Sequence, residues 1–490
     1  MRKLLIYTFL LFSAYIIKAQ TVNIGGTTYG TITEAITAAS DGDIIVISGV
    51  HTEPITIEKS ITLRGTDPTT DIIQAAASEV KDGSGSRVIS INEGNFTIAI
   101  ENLGVRYGNV SGNGGGIFVD KVTGSLTLNN LIIENNYASS NGGAIGFAGS
   151  IATVINCTIQ NNTSTLDGGA ILAAPNNASG VNSVIDFKQT LINNNTGRNG
   201  GGIYINGNPN FGNDYLIDVT LENTTVSNNN ATSASGGNGG GAIFSASRPW
   251  TSDTNIGNIT LKLVHTTFYG NTHAGLAKSG IQFGSAKVTN FSIYNSIIVS
   301  TDDVATKAIN FANTNTTDVV NCILGGLNAA PTLIDDTNKN NQKGVTASFA
   351  GISALTDEGG STQVFAFAEG SNSDDYCTAS TGLTLPTVDQ RGFSREGTPD
   401  AGAFEFGGTL STNDNILFEG VTIFPNPTQN VLQVSGIEDI EELTIFSILG
   451  KLEKKVINSS TVDVSNLSKG IYFLQIVKNN ETLAKKFIKN

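Results

Sequence analysis

A pair of glycines followed by apolar residues recurs along the middle of the chain, and no other feature limits the possible folds so tightly. Copies stand at Gly115-Gly116-Ile117-Phe118, Gly142-Gly143-Ala144-Ile145, Gly168-Gly169-Ala170-Ile171, Gly201-Gly202-Ile203-Tyr204 and Gly240-Gly241-Ala242-Ile243. Ser279-Gly280-Ile281-Gln282 is a degenerate copy, and successive copies are 26 to 39 residues apart. A second motif accompanies the first. Leu128-Asn129-Asn130 leads to Ile133 and Asn135-Asn136, Val154-Ile155-Asn156 to Ile159 and Asn161-Asn162, and Phe187-Lys188-Gln189 to Ile192 and Asn194-Asn195. Leu221-Glu222-Asn223 leads in the same way to Val226 and Asn228-Asn229, and Leu263-Val264-His265 to Phe268 and Asn271.

Each unit therefore holds two or three short strands separated by turn residues. One unit cannot bury its apolar side chains, but stacked units can, because each strand pairs with its copy in the next unit at about 4.8 Å. Stacking places like residues in columns. Ile133, Ile159, Ile192, Val226 and Phe268 are expected in the core. Asn102, Asn130, Asn156, Asn223, Asn295 and Asn321 are expected at a bend, where asparagine tolerates a left-handed backbone and its amide can bond to its neighbours in the stack. The Gly pairs allow a tight corner. A helical solenoid would need 3.6-residue periodicity, which is missing.

Before the repeats, Thr33–Ala39 predicts a short amphipathic helix, followed by strands at Ile44–Ile47, Ile55–Ile57 and Ile61–Leu63. This opening and the stacked repeats, 21–330, resemble the pectin-lyase-like superfamily. The resemblance implies an all-β fold, a right-handed parallel β-helix solenoid with an N-terminal helical cap, followed by a small C-terminal β-sandwich. Residues 331–406 contain Gly359, Gly360, Thr362, Asp389, Arg391, Gly392, Arg395, Asp400, Gly402, Ala403 and Glu405 in a pattern similar to the choice-of-anchor Q region that ends many secreted β-helices. Its charged members are expected to form a salt-bridge cluster that fastens an irregular cap.

The two termini concern transport. Arg2 and Lys3 precede an apolar run from Leu4 to Ile17, with a small-residue cleavage point at Ala19-Gln20, as in a signal peptide, 1–20. Residues 407–415 read as a linker. In 416–490 lysine becomes frequent and the Gly pairs vanish. Its segments VTIFPNPTQNVLQV, LTIFSILGKLEKK and VDVSNLSKGIYFLQIV resemble the type A sorting domain of the type IX secretion system. That resemblance implies the secretion machinery as a partner. It also implies Sec export to the periplasm and passage across the outer membrane of a Gram-negative bacterium, ending in release or attachment to surface lipopolysaccharide. Pro425, Asn426, Pro427, Gly450 and Gly470 occupy the matching turns of that secretion signal.

Charge and composition narrow the function. The 490 residues carry 28 basic and 42 acidic side chains, a formal charge of −14, which argues against nucleic-acid binding. No stretch of the mature chain is expected to span a membrane. Three cysteines, Cys157, Cys322 and Cys377, are too few and too widely spaced for a disulfide framework. No cofactor motif and no metal-ligand set is expected.

Catalytic sets are equally hard to find. Asp302-Asp303 is a lone acidic pair, and Asp167, Asp186, Asp214 and Asp218 occupy unmatched positions in the repeats. Lys188, Arg198, Arg248 and His273 are the residues an enzyme would have to recruit, while His265 takes an asparagine's place in the bend column. Alternation after the Gly pairs suggests an outward apolar stripe of Phe118, Ile145, Ile171, Tyr204 and Ile243, with Tyr137 and Trp250 in nearby loops. Phe118, Tyr137, Tyr204 and Trp250 are thus the candidate glycan-binding residues. The reading is a secreted or surface β-helix that binds carbohydrate or mediates adhesion. A polysaccharide lyase or glycoside hydrolase, or a structural spacer, stands as the alternative.

Overall fold

The computed structural model describes residues 19–175, 181–207, 216–233, 239–246, 258–274, 279–284, 289–300, 307–312, 314–352, 354–409, 421–437, 440–447, 452–478 and 481–490. The signal peptide, apart from its last two residues, lies outside them, as do Asp214, Arg248, Trp250, Asp302, Asp303 and Gly450. The chain forms two compact units, Met1–Leu410 and Ser411–Asn490.

In the larger unit, each turn of chain contributes one strand to each of three long sheets, the expected parallel β-helix. Among the described residues sheet 1 has twelve strands and ends at Thr314–Val320, sheet 2 has eleven and begins at Val50–Thr52, and sheet 3 has ten and begins at Ile55–Ile57. A ribbon of six two-residue strands, from Asn109–Val110 to Thr272–His273, lies between sheets 2 and 3 in chain order. Pairing between turns is parallel and in register, so Val105, Ile133, Ile159 and Ile192 stand in one column. That column is fully buried, as expected. Sheet 2 strands are mostly three residues long, so the middle residue faces the core and the outer two face away.

The start of the stack is closed by the helix Ile32–Ala38, which buries Ile32, Ala35 and Ile36. Thr31 caps it by accepting a hydrogen bond from the Glu34 backbone N–H at 3.1 Å. Thr21–Ile24 pairs antiparallel with Ile44–Ser48 and ends the parallel stacking of sheet 1.

The bend after sheet 1 matches its sequence signature. Asn102, Asn130, Asn156, Asn223, Asn295 and Asn321 all have positive φ, between 46° and 56°, and Gln189 and His265 take the same conformation in the two turns that lack asparagine. Their amide ladder is broken, however. Asn130 Nδ2 donates to Asn102 Oδ1 at 2.8 Å and Asn321 Nδ2 to Asn295 Oδ1 at 2.9 Å, but Asn156 turns to Asn129 and Asn223 to the Val388 carbonyl.

The continuous ladder lies one corner further on, in the second asparagine of each Asn-Asn pair. Asn136, Asn162, Asn195, Asn229 and Asn271 are buried, and each Nδ2 donates to the next Oδ1 at 2.9–3.0 Å. The preceding residue supplies the left-handed turn: Asn135, Asn161, Asn194 and Asn228 have φ between 53° and 57°, and Gly270 has 69°.

One expectation needs correcting. The aligned glycines are Gly114-Gly115, Gly142-Gly143, Gly168-Gly169, Gly200-Gly201 and Gly240-Gly241, because Ile117, Ile145, Ile171, Ile203, Ile243 and Ile281 form one paired column. Two copies in the sequence reading were therefore shifted by one residue. A one-residue shift exchanges the faces of a strand. Ile145, Ile171 and Ile243 consequently point into the core and are fully buried. The middle glycine of each corner is required by space: a Cβ on Gly169 would stand 2.2 Å from the Gly201 carbonyl oxygen in the next turn.

The smaller unit is a β-sandwich. A three-stranded antiparallel sheet (Thr422–Phe424, Val431–Ser435, Thr461–Asp463) and a four-stranded one (Glu442–Ser447, Leu452–Ile457, Gly470–Lys478, Glu481–Lys489) enclose Leu432, Leu443, Ile445, Leu474, Ile476 and Phe487.

Candidate binding surface

The outward column of sheet 3 runs Phe118, Gly146, Leu172, Tyr204, Phe244, Gln282. Phe118 is half-buried beneath the Arg87 guanidinium, 4.8 Å from its ring centre. Tyr204 is buried and stacks on Phe244 with ring centres 5.9 Å apart. Tyr137 lies elsewhere, in the corner ribbon, with its hydroxyl 2.7 Å from Thr165 Oγ1. These three candidates do not converge, and the expected stripe is not an open platform: Leu172, Tyr204 and Phe244 are buried together.

The outer face of sheet 2 offers a groove that the sequence reading missed. Two cavities of about 160 and 200 Å³ lie along it and share Gln160. The first is lined by Pro68, Thr69, Ile72, Arg106, Ile132 and Glu134. The second lies between Thr158, Gln160 and Leu191 on the solenoid and Asp357, Gly360, Ser361, Thr362 and Gln363 on the returning C-terminal segment. The strand register sets the lining. One outward column reads Thr52, Gln74, Arg106, Glu134, Gln160, Asn193, and the other Ile72, Gly104, Ile132, Thr158, Leu191. The polar column is internally bonded. Gln74 Nε2 donates to Thr52 Oγ1 at 2.9 Å, Arg106 Nε to Gln74 Oε1 at 2.8 Å, and Gln160 Nε2 to Glu134 Oε2 at 2.9 Å. These bonds hold a guanidinium, a carboxylate and two amides at fixed heights beside an apolar strip. The signal was present in the sequence as polar residues on either side of the core isoleucines, but the closing loop comes from residues some 200 positions away.

Beyond Leu191 the returning segment covers the same face. Thr225 Oγ1 donates to Gln390 Oε1 at 2.7 Å, the Ala403 N–H to Thr267 Oγ1 at 2.9 Å, and the Gly402 N–H to the Asn295 carbonyl at 2.8 Å. Ile297, Val299 and Ile323 pack against Phe365, Phe367 and Phe404.

The expected charged cluster fastens this segment. Arg391 pairs with Asp389 at 2.7 Å and Arg395 with Glu405 at 2.8 Å, all four side chains being at most 6% exposed. Arg395 also donates to Asn223 Oδ1 at 3.0 Å and to the Gly402 carbonyl at 2.9 Å. His265 is buried next to the same arginine, and burial together with that charge pushes its pKa well below the usual imidazole value.

Burial pushes Asp400 up to about 6 and Glu405 up to about 7, although Arg395 pulls both down. A carboxyl with a raised folded-state pKa stabilises the fold at low pH and loses that contribution as pH rises through the folded value. The contribution is whole below the ordinary carboxyl values, so the melting temperature is expected to fall between about pH 4 and pH 7. A pH series on Glu405→Gln should show a shallower slope; an unchanged slope would assign the effect to other groups.

Catalytic candidates are scattered. Arg198 makes a two-pronged pair with Asp167, both distances 3.0 Å, at the Gly corner. His273 is buried in the corner ribbon. Cys157, Cys322 and Cys377 are buried free thiols, and burial pushes the first two up to about 12 and Cys377 well above its usual value. Cys157 and Cys322 each donate to a strand carbonyl two residues back, at 3.2 and 3.1 Å, as Thr190 and Ser296 do in the same column. One pair is unmatched in register, as read from the sequence, yet stands close on one sheet. Asp186 and Asp218 do share a face, the outer face of sheet 1, on adjacent strands: Asp186 stands opposite Thr220 and Asp218 opposite Val184. Burial raises the Asp218 pKa and the neighbouring Asp186 raises it further, while Lys262, opposite Thr220, lowers it. Lys188 stands opposite Glu222 on the same face.

In the smaller unit, Asn426 stitches its turn to the last strand. Its Oδ1 accepts from the Ile488 N–H at 2.9 Å and its Nδ2 donates to the Lys486 carbonyl at 3.1 Å. Pro425 and Pro427 flank it, both after cis peptide bonds. Gly470 begins its strand opposite Lys489 and is exposed. Strand alternation leaves Ile471 and Phe473 exposed, with Ile488 opposite the first.

Residues 422–490 match the model of the secretion system C-terminal sorting domain, and residues 156–174 match the Chlamydia polymorphic membrane protein repeat. A solved structure, pectin methylesterase from carrot, is similar at 15% identity with a TM-score of 0.32, over 60% of this chain and 86% of that one. No curated relative matches. The C-terminal unit marks the chain for the type IX secretion machinery and so for the cell surface or the medium. No helix among the described residues is long and apolar enough to cross a membrane.

Proposed function

We propose that this secretion-tagged β-helix binds an extracellular polysaccharide as an adhesive or capture module and does not cleave it. The observation that carries this reading is the sheet 2 groove, where Arg106, Glu134 and Gln160 present donors and acceptors on successive turns beside Ile72, Ile132 and Leu191. The rise between turns, about 4.8 Å, is close to the length of one hexose in an extended chain. Sugars suit such a lining, since hydroxyls bond to fixed amides and charged groups while C–H faces rest on apolar side chains. The carboxylates of the lining are Glu134 and, in the second cavity, Asp357.

The test is to incubate the secreted protein with immobilised polysaccharides and to score retention and the release of new chain ends. Retention without release is expected. Arg106→Ala should weaken retention by about ten- to a hundredfold, as expected for the loss of a charge-assisted hydrogen bond worth about 1.5–3 kcal/mol, with only a small fall in melting temperature from the lost bond to Gln74. Release of chain ends would overturn the non-catalytic reading.

A second reading rests on Asp186 and Asp218. Two carboxylates on one face, with Asp218 raised by burial and by the neighbouring charge, could serve as acid and base in glycoside hydrolysis. Under it, product release would appear and Asp218→Asn would abolish it. For the smaller unit, the exposed Ile471, Phe473 and Ile488 provide the apolar surface that the export machinery would contact.

A further inference from the structure

The groove has a built end. Beyond Leu191 the outer face of sheet 2 is occupied by the protein's own returning segment, and the loop Asp357–Gln363 stands across the track as a wall. That wall is held from behind by buried groups. Gln390 Nε2 donates to Thr362 Oγ1 at 2.9 Å and to the Gln363 carbonyl at 3.0 Å, and Thr362 Oγ1 donates to the Gln189 carbonyl at 3.4 Å. Arg391, itself paired with Asp389, donates to the Glu358 carbonyl at 3.4 Å. Gly360 lies so close that a Cβ there would stand 2.7 Å from the Arg391 backbone. On the side facing the groove, Asp357, Ser361 and Gln363 are exposed and able to bond to a ligand.

We infer that the groove recognises the end of a neutral, linear polysaccharide, with the terminal sugar in the cavity formed by Thr158, Gln160, Leu191, Asp357, Ser361 and Gln363. This deepens the proposed function and rests on it. Three observations select the ligand. The groove's length is set by the turns from Ile72 to Leu191, so it holds only a few sugars before the wall. Arg106, the cation of its lining, is balanced by Glu134, and Asp357 at the wall disfavours an acidic terminal sugar. The protein as a whole carries −14, which repels a polyanion before contact. An internal stretch of polymer would have to leave the track at Leu191, and a branched terminus would meet the wall.

The experiment uses the full secreted chain and linear neutral gluco- and manno-oligosaccharides from disaccharide to octasaccharide. Each is tested free and coupled to a bulky bead through its reducing or its non-reducing end. Affinity should rise with length and then level off within a few sugars, and coupling through one of the two ends should abolish binding. Ser361→Trp, at an exposed position, should weaken binding by about tenfold or more, a loss of about 1.4 kcal/mol, without moving the melting temperature. Equal binding of both bead-coupled forms, or affinity that keeps rising with length, would overturn end recognition while leaving carbohydrate binding intact. An acidic oligosaccharide and an extended peptide are run beside them: preference for the acidic glycan would overturn this inference and spare the proposed function, whereas preference for the peptide, or binding of no glycan, would overturn both.

Discussion

Replacing Arg395 with leucine is expected to cost about 3–5 kcal/mol, the range for removing one partner of a buried ion pair. The guanidinium is 1% exposed and Glu405 is 4% exposed, so neither water nor another cation takes its place easily. The substitution also leaves Asn223 Oδ1 and the Gly402 carbonyl without this donor. The bond to Asn223 joins parts of the chain 172 residues apart and the bond to Gly402 lies within the returning segment, so their loss falls on the fold and docking of that segment and not on the solenoid beneath it. Denaturant unfolding should show the loss, and limited proteolysis should show new cleavage between residues 357 and 409. The double variant Arg395→Leu with Glu405→Leu should recover part of the loss, because the stranded carboxylate is then gone. A single variant within about 1 kcal/mol of the parent would mean that the pair is not what holds the segment, given the usual worth of exposed pairs.

Asn195→Leu is the second large effect. This side chain sits at the centre of the buried ladder and makes five hydrogen bonds. Its Oδ1 accepts from the Asn162 backbone N–H and from Asn162 Nδ2, and its Nδ2 donates to Ile159 O, Asn193 O and Asn229 Oδ1. Leucine fills a similar volume but leaves the buried Asn162 N–H without its acceptor and takes one bond each from Asn162 Nδ2, Ile159 O, Asn193 O and Asn229 Oδ1. Each orphaned group costs about 1–3 kcal/mol and the terms are not additive, so a total of at least about 3 kcal/mol is expected. Asn130→Ala offers the comparison. It loses one ladder bond at a half-buried corner and places alanine at φ 52°, so about 1 kcal/mol is expected. Thermal unfolding of the two variants side by side decides the point. Equal losses would show that burial of the second ladder adds nothing.

Those two columns show how far the sequence could be read. Both asparagine positions were visible as repeats, and the first was correctly assigned a left-handed bend. Which one forms an unbroken buried ladder depends on what covers each corner. At the first corner the returning segment competes for the amides, with Asn223 bonding to Val388 and Gln189 to Asp389. No periodicity within the repeat reports a competitor from the far end of the chain.

The sequence by itself determined the architecture and the address. Recurrent strands with Gly and Asn at fixed places can bury their apolar residues only by stacking, and the C-terminal segments carry a sorting pattern along one short module. It determined less about faces. Gly114-Gly115-Gly116 allows two alignments of the glycine pair, one residue apart, and only pairing of Ile117 with Ile145 shows which is used. The tertiary structure alone decided what is open and what is covered. It buried Tyr204 against Phe244, laid residues 388–405 along half of sheet 2, and left the groove from Ile72 to Leu191 with Asp357–Gln363 across its end. The physical reason is range. A repeat encodes contacts between neighbouring turns, whereas a binding surface is formed where a non-repeating segment stops covering them.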